Sequence, residues 1–444
     1  MNRLSRLACA AFLLTTLSVN AQPLPGAGPQ AAISETSRGA MAKIGADAGV
    51  KKGLDFIEKD DAQTLADQRA LTEIPAPPFK EQVRAEEYRK RLAALGLKDV
   101  RIDTEGNVIG VRPGGGKGPK LIVSAHLDTV FPEGTDVKIR EKDGRLYAPG
   151  IADDTRGLAA MLSVIRAFNA TGVKTVGDIV FVGTVGEEGL GDLRGVKALF
   201  RDMKDIDGFI SIDGADMVRI TFMATGSQRY RIAFKGPGGH SFGAFGLPSA
   251  IHAMGRAIAK ISEVQTPRDP KTTFTVGTVA GGTSVNAIAG DAVMEVDMRS
   301  NDAGALAKLE AQVLGLVKEA VAEENRRWNA ESLTVDIKLV GERPAGGQAL
   351  DSPALQAAVL AHQAVGMPRL ALEASSTDSN LAINLGIPAV TIRGGGRSGG
   401  THSLGEWYQN QIAYVGPQAV FLTALGLVGV EGLTAPILPK RPAR

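Results

Sequence analysis

Several short runs along the chain are apolar with no polar face: Leu121–Ser124 (LIVS), Asp178–Thr184 (DIVFVGT), Gly208–Ile212 (GFISI) and Ala389–Ile392. Such runs predict strands covered on both sides, as in a parallel sheet. Helical patterning runs from Ile44 to Leu71, over Glu81–Leu95 with Gly96 as its stop, over Leu158–Phe168 and over Ser352–Val365. Asn107–Val111 reads as a further strand, and Pro113–Pro119 (PGGGKGP) as a hairpin-like loop. Strands alternating with helices predict an α/β domain. Between residues 226 and 340 the texture changes. Gln228–Phe234 (QRYRIAF) and Leu333–Leu339 (LTVDIKL) alternate polar and apolar, the mark of half-exposed antiparallel strands. With strands at Thr273–Ala280 and Ala292–Arg299, and helices at Pro248–Val264 and Ala305–Asn325, the order is βαββαβ. The expected architecture is therefore an α/β domain over 41–225 and 341–432, interrupted by an α+β unit over 226–340. Residues 22–40 read as a linker. Residues 433–444 read as a tail, frayed over Lys440–Arg444, and the apolar run Val420–Val430 as a buried terminal element.

The first 21 residues have a different pattern. Arg3 and Arg6 precede an apolar stretch, Leu7–Leu17, and Val19-Asn20-Ala21 ends on a small residue. This predicts a cleaved secretory signal, and so a secreted or periplasmic protein. The stretch is too short for a membrane span, which needs about 20 apolar residues. Cys9, the one cysteine, would leave with the signal. Composition narrows the rest. Lys plus Arg total 50 against 48 Asp plus Glu, which gives no electrostatic footprint for nucleic acid or an acidic membrane. One cysteine excludes a disulfide framework and a cysteine-rich zinc module. The 444 residues exceed the roughly 250–300 that one core usually holds, in keeping with two domains.

Glycine-rich segments invite a nucleotide reading, but the phosphate-loop spacing fails around Lys117, and no G-x-G-x-x-G joins a strand to a helix. G-x-S-x-G occurs around Ser241 and Ser398, in neither case on a strand-to-helix turn. The five His include no pair four apart, so any metal site must draw on distant segments.

Such segments exist. His126 and Asp128 continue from the strand 121–124 toward its carboxyl end, where open α/β sheets place their chemistry. A His-x-Asp pair there is also a common structural hydrogen bond. Asp153-Asp154 opens a helix, where adjacent carboxylates repel, although Asp is a favoured helix cap. Glu187-Glu188 sits between glycines just beyond an apolar strand, and Asp213-Gly214 follows another; the bland reading of the former is a charged turn. Thr401-His402-Ser403 follows the run Gly394–Gly396. Together these segments supply two His and several carboxylates, enough for two metals sharing a bridging carboxylate.

The ordered set H-x-D, G-x-x-D-D, G-E-E-G, D-G, G-G-H-S and T-H-S, from residue 126 to 402, resembles the dinuclear-zinc metallopeptidase family of aminoacylase, carboxypeptidase G, peptidase T and succinyl-diaminopimelate desuccinylase. The resemblance implies a zinc-exopeptidase-like α/β domain with an inserted lid that forms a homodimer. It implies His126 and Asp213 on one metal, Glu188 and His402 on the other, and Asp153 as the bridge, joined to Asp154 by a cis peptide. Asp128 would orient His126, and Glu187 would be the general base. His240, in Gly238-Gly239-His240-Ser241, would reach a partner's site and stabilise the oxyanion. Asn286, Arg299, Gly394 and Gly395 would contact substrate, although Arg299 also reads as a surface charge on its strand. His252 and His362 match no motif and read as structural or surface residues. Thr155 stands where the family usually has Lys. The implied activity is cleavage of an amide bond in small peptides, aminopeptidase- or tripeptidase-like, by a hydroxide bridging two divalent ions, Zn2+ with Co2+ or Mn2+ as alternatives. The other expectations are an N-acyl-amino-acid deacylase or glutamate-type carboxypeptidase, and a homologue that binds metal or peptide without catalysis.

Overall fold

A computed structural model describes residues 29–442. The expected signal segment, 1–21, lies outside them. The chain opens with three helices, Glu35–Ala46 (α1), Ala48–Lys59 (α2) and Asp61–Thr72 (α3), then Gln82–Ala94 (α4). The expected linker therefore stops short: α1 begins at Glu35, with the Ser34 side chain accepting the Ser37 N–H. The helical pattern of 44–71 is broken at Asp47, which has extended backbone and caps α2 through the Val50 N–H.

The strands of the first half are Lys98–Ile102 (β1), Val108–Arg112 (β2), Lys120–His126 (β3), Arg140–Lys142 (β4), Arg145–Tyr147 (β5), Asp178–Thr184 (β6), Gly208–Ile212 (β7) and Arg219–Ala224 (β8). Helices Thr155–Thr171 (α5) and Arg194–Asp202 (α6) lie among them. The middle of the chain holds Gly226–Lys235 (β9), Gly239–His240 (β10), Ala250–Ser262 (α7), Thr272–Gly281 (β11), Ala287–Ile288 (β12), Asp291–Ser300 (β13), Ala303–Arg327 (α8) and Thr334–Arg343 (β14). The chain then continues with Pro353–Ala364 (α9), Ala371–Ser375 (β15), Ser379–Asn384 (α10), Ala389–Ile392 (β16), Arg397–Gly399 (β17), Trp407–Gln409 (β18) and Val415–Val428 (α11).

The large sheet runs β1-β2-β6-β3-β7-β16-β8-β15. Its centre is parallel: β3 pairs β6 and β7, and β16 pairs β7, all in parallel register. These strands are buried on both faces, as their unbroken apolar runs predicted. One expectation is overturned here. The segment 113–119 does not close a hairpin, because β6 lies between β2 and β3. It crosses the end of β6 instead, close enough that a Cβ at Gly114 would stand 2.2 Å from the Gly177 carbonyl oxygen. Glycine is used at this crossing because two backbones meet. The tail is also held more firmly than expected: Arg441 donates its N–H to Asp207 and its guanidinium to the Gly386 carbonyl.

Residues 226–343 form a second sheet, β11-β13-β9-β14, covered by α7 and α8 over its own apolar core. Its elements follow the order βαββαβ, with β10 and β12 paired as a small ribbon beside it. In the large unit, α11 is apolar all round and fully buried. Its Phe421 meets Phe168 edge-on at 4.8 Å, and Gly53 of α2 approaches so closely that a Cβ there would lie 2.8 Å from the ring. Among the described residues no helix is long and apolar enough to cross a membrane. Phe421→Ala should lower stability by about 3–5 kcal/mol, the usual cost of emptying a buried aromatic site. The urea midpoint of the first unfolding transition is the measurement that checks this.

Candidate metal centre

Strands β6, β3 and β7 are neighbours and run in the same direction, so their carboxyl ends share one edge. His126 is the last residue of β3, and Asp213 follows directly after β7. Glu187 and Glu188 lie in the turn beyond β6. Asp153 and Asp154 come from the loop before α5 and are joined by a cis peptide. His402 arrives from the loop beyond β17. Residues far apart in sequence thus meet because parallel strands end together.

Asp153 sits at the centre. One of its oxygens is 2.9 Å from His126 Nε2, and the other is 3.1 Å from His402 Nε2. His402 Nε2 also lies 2.8 Å from Glu188 Oε1. Two donor triads share Asp153: His126–Asp153–Asp213 and Asp153–Glu188–His402, with one ligating atom per residue within 4.8 Å of the others. A third set, His126–Glu187–Glu188, meets the same distance.

The neighbouring Asp residues do different work. Asp154 is fully buried and accepts N–H groups from His126, Gly157 and Gly214, tying the ends of β3 and β7 to the start of α5. Asp128 accepts the N–H groups of Glu187 and Glu188 at 3.1 and 2.9 Å. Its link to His126 is looser, 3.6 Å through the carboxylate and 3.1 Å through its carbonyl oxygen. Asp128 thus braces the Glu-Glu turn as well as the histidine.

The electrostatics suit a cation. Burial pushes the carboxyls of Asp154, Glu187, Glu188 and Asp213 above the ordinary range, and nearby negative charge adds to the shift. The histidines move the opposite way. Contacts with Asp153 and Glu188 push His402 up to about 10. Burial opposes a charge on His126, yet Asp128 and Asp153 hold it well above its usual range. Buried anions that cannot ionise together, flanked by imidazoles, are a donor set suited to divalent ions.

Two residues missed in the sequence complete the surroundings. Glu406, fully buried, accepts the N–H groups of Gly150, Ala152 and Asp153 at 2.9, 2.8 and 3.1 Å. Burial pushes its carboxyl up to about 7 despite those bonds. It lies in the loop beyond His402, where no local pattern signals its burial. Arg343, the last residue of β14, pairs with Glu187 Oε1 at 2.9 Å. The alternating run 333–339 ends before it, and nothing in the local pattern singles it out.

The remaining candidates lie elsewhere. His240 and Asn286 meet on the β10–β12 ribbon, where Ser241 N–H donates to the Asn286 carbonyl. Both are exposed, and among the described residues no hydrogen bond or ion pair joins either to the cluster. Arg299 lies on β13 and holds Asp297 at 2.7 Å. Gly394 and Gly395 are buried, and a Cβ at Gly395 would stand 2.1 Å from the Ala413 carbonyl oxygen, so packing accounts for the missing side chain. His362 is buried and bonds the Ala358 carbonyl, while His252 is exposed near Glu324. A cavity of about 300 Å³ adjoins the ligand loops, lined by Lys138, Arg140, Tyr147, Pro149 and Leu404 among others.

The family model described as Peptidase family M20/M25/M40 matches residues 122–425. Succinyl-diaminopimelate desuccinylase of Paraburkholderia xenovorans is 27% identical over 267 residues, which is 55% of this chain and 70% of that protein. Aminopeptidase PepT of Bacillus cereus superposes with a TM-score of 0.65 at 22% identity, over 82% of this chain and 97% of that one. YXEP of Bacillus subtilis, described as a dinuclear metal binding peptidase, gives 0.61 at 17% identity, over 83% and 98%. At these identities the solved structures show a shared fold.

Glu406→Gln tests the loop bracing. An amide nitrogen there would face backbone N–H groups, and metal affinity should fall about 10–100-fold, as for other residues that orient ligands. Competition against a chelator measures it.

Proposed function

The chain belongs to peptidase family M20/M25/M40, and from that premise we propose that it is a two-metal exopeptidase acting on small peptides. The observation that carries this reading is Asp153, whose two oxygens face two different histidines. Such a carboxylate suits a bridge between cations. His126 and Asp213 would hold one ion with it, and Glu188 and His402 the other. Nitrogen and oxygen donors of this kind suit zinc, proposed as the native ion, and also cobalt(II) or manganese(II). When bound, the pair supplies Lewis acidity, which acidifies water and polarises a carbonyl.

The chain's own residues then divide the work. Glu187, outside the assigned ligand set but beside it, takes the proton of the attacking water and returns it to the leaving amine. Asp128 keeps the Glu187–Glu188 turn in place. On His240, Nδ1 accepts the N–H groups of Phe242 and Gly243 at 3.2 Å, which leaves Nε2 as the N–H donor. A tetrahedral oxyanion requires such a donor. His240 is exposed, so we assign it to the site of a second copy in a homodimer. The surface around it supports that assignment. Strand β11 is a free edge of the second sheet, and Phe242, Phe245, Val279 and Val285 are exposed apolar side chains. Exposed edges and apolar patches are features that partners cover. Asn286, beside His240, and Arg299 are assigned to substrate contact.

A second reading, hydrolysis of an N-acyl amino acid, is supported by the likeness to succinyl-diaminopimelate desuccinylase. Activity on peptides with free N-termini against N-acylated amino acids separates the two. The N-terminal pattern of Arg3, Arg6 and Leu7–Leu17 supports export from the cytoplasm.

Purified protein should carry two metal ions per chain by elemental analysis and lose turnover on chelation. Turnover nowhere across dipeptides, tripeptides and N-acyl amino acids would reject the reading. Glu187→Gln should retain both ions while turnover falls about 10²–10⁴-fold. His240→Ala should lose about 10²–10³-fold. Mixing those two variants should restore activity in exchanged dimers, and no recovery after demonstrated exchange would place His240 in its own chain's site.

A further inference from the structure

Arg343 stands where the chain leaves the second sheet, with Pro344 next. A guanidinium at a strand end usually reaches solvent, yet this side chain is only 4% exposed. It crosses from its own sheet into the metal centre. Nη1 donates to Glu187 Oε1 at 2.9 Å and to Ser376 Oγ at 3.2 Å, and Nη2 donates to the Glu187 carbonyl oxygen. One planar group therefore grips the side chain and the main chain of the same residue. A glutamate held at both points has little torsional freedom left between them, and the rigid fork of arginine suits that task better than a flexible ammonium.

The rest of the turn is held from both sides. Asp128 takes the Glu187 and Glu188 N–H groups from within the large sheet. From the second sheet, Arg229 of β9 donates to the Gly189 carbonyl, and the Glu342 N–H donates to Asp192 at 2.6 Å. Lys197 joins Asp192 to the Glu342 carbonyl. Among the described residues, the second Glu187 oxygen receives no hydrogen bond. Arg343 thus occupies one oxygen and leaves the other for a proton.

We infer that Arg343 is a positioning residue that holds Glu187 in the geometry of a general base. The inference rests on the function proposed above. It assigns Arg343 to the base and not to the substrate, and the two assignments predict different kinetics.

The test measures kcat, KM and metal content for Arg343→Lys and Arg343→Ala, each also in the Glu187→Gln background. Both single variants should keep two ions per chain and an unaltered KM. The kcat of Arg343→Ala should fall about 100-fold, the usual cost of a misplaced catalytic group, and added guanidinium ion should restore part of it. Arg343→Lys should lose less, because it keeps the charge but cannot grip both atoms. In the Glu187→Gln background, Arg343→Ala should add no further loss, since there is no base left to place. An unchanged kcat overturns the inference. So does a raised KM with kcat intact, which would make Arg343 a grip on substrate. So does a full second loss in the Glu187→Gln background, which a purely structural residue would produce. Should Arg343→Ala fail to fold, Arg343→Lys and Arg343→Gln decide by the same criteria. No turnover by the unaltered, metal-loaded chain removes the hydrolase reading and this inference with it. Turnover indifferent to Arg343 removes the inference alone.

Discussion

Like charges packed out of water repel, and the structure around residues 126–213 is organised to contain that repulsion. Asp128, Asp154, Glu187, Glu188 and Asp213 are all buried, and half-buried Asp153 lies among them. Each has a named counterweight. Backbone N–H groups serve Asp128 and Asp154. Imidazoles serve Asp153 and Glu188. Arg343 serves Glu187, and Arg393 lies 3.6 Å from Asp213 while donating to its carbonyl at 2.7 Å. These contacts orient the carboxylates without discharging them all, and the remaining negative charge is what attracts divalent ions. The acidity that makes the cluster costly to bury is the same property that makes it a ligand set.

This containment explains the form of the large sheet. A cluster of anions needs donors that cannot rotate away, and strand ends and helix starts provide backbone N–H groups at fixed positions. The parallel order β6-β3-β7 brings three such ends together. Asp154 then fastens the loop before α5 to two of them, and Glu406 fastens the same loop from the far side. The apolar strands and the buried α11 beneath are the rigid floor under this polar layer.

Much of this was legible in the sequence, for identifiable reasons. Strands β3, β6, β7 and β16 are unbroken apolar runs, so their ends, and with them His126, Glu187, Glu188 and Asp213, could be placed on one edge. The second sheet was legible because β9 and β14 alternate cleanly. The loop 113–119 misled because glycine and proline mark a turn without stating whether a third strand lies between its ends. Arg343 and Glu406 were hidden for another reason. Each is a charged residue in a polar stretch, and its burial depends on packing between segments remote in sequence. The glycines at 394–395 read as substrate contacts, and the structure adds a packing reason for them, close backbone approach. Local pattern reports what one element needs, and cannot report what another element asks of it.

Strands β9 and β14, by which the chain joins and leaves the second sheet, are immediate neighbours, with Ser227 opposite Arg343. Gly226 comes so near the returning chain that a Cβ would lie 2.6 Å from the Ala345 nitrogen. The whole unit therefore hangs from a double stalk narrow enough for a short turn to replace it. An architecture of this kind can exchange its inserted module while the large sheet keeps its connectivity. Such exchange is not free of consequence here, since the stalk ends on Arg343: a replacement that closed the gap but lacked that guanidinium would leave the Glu187 carboxylate buried without its partner.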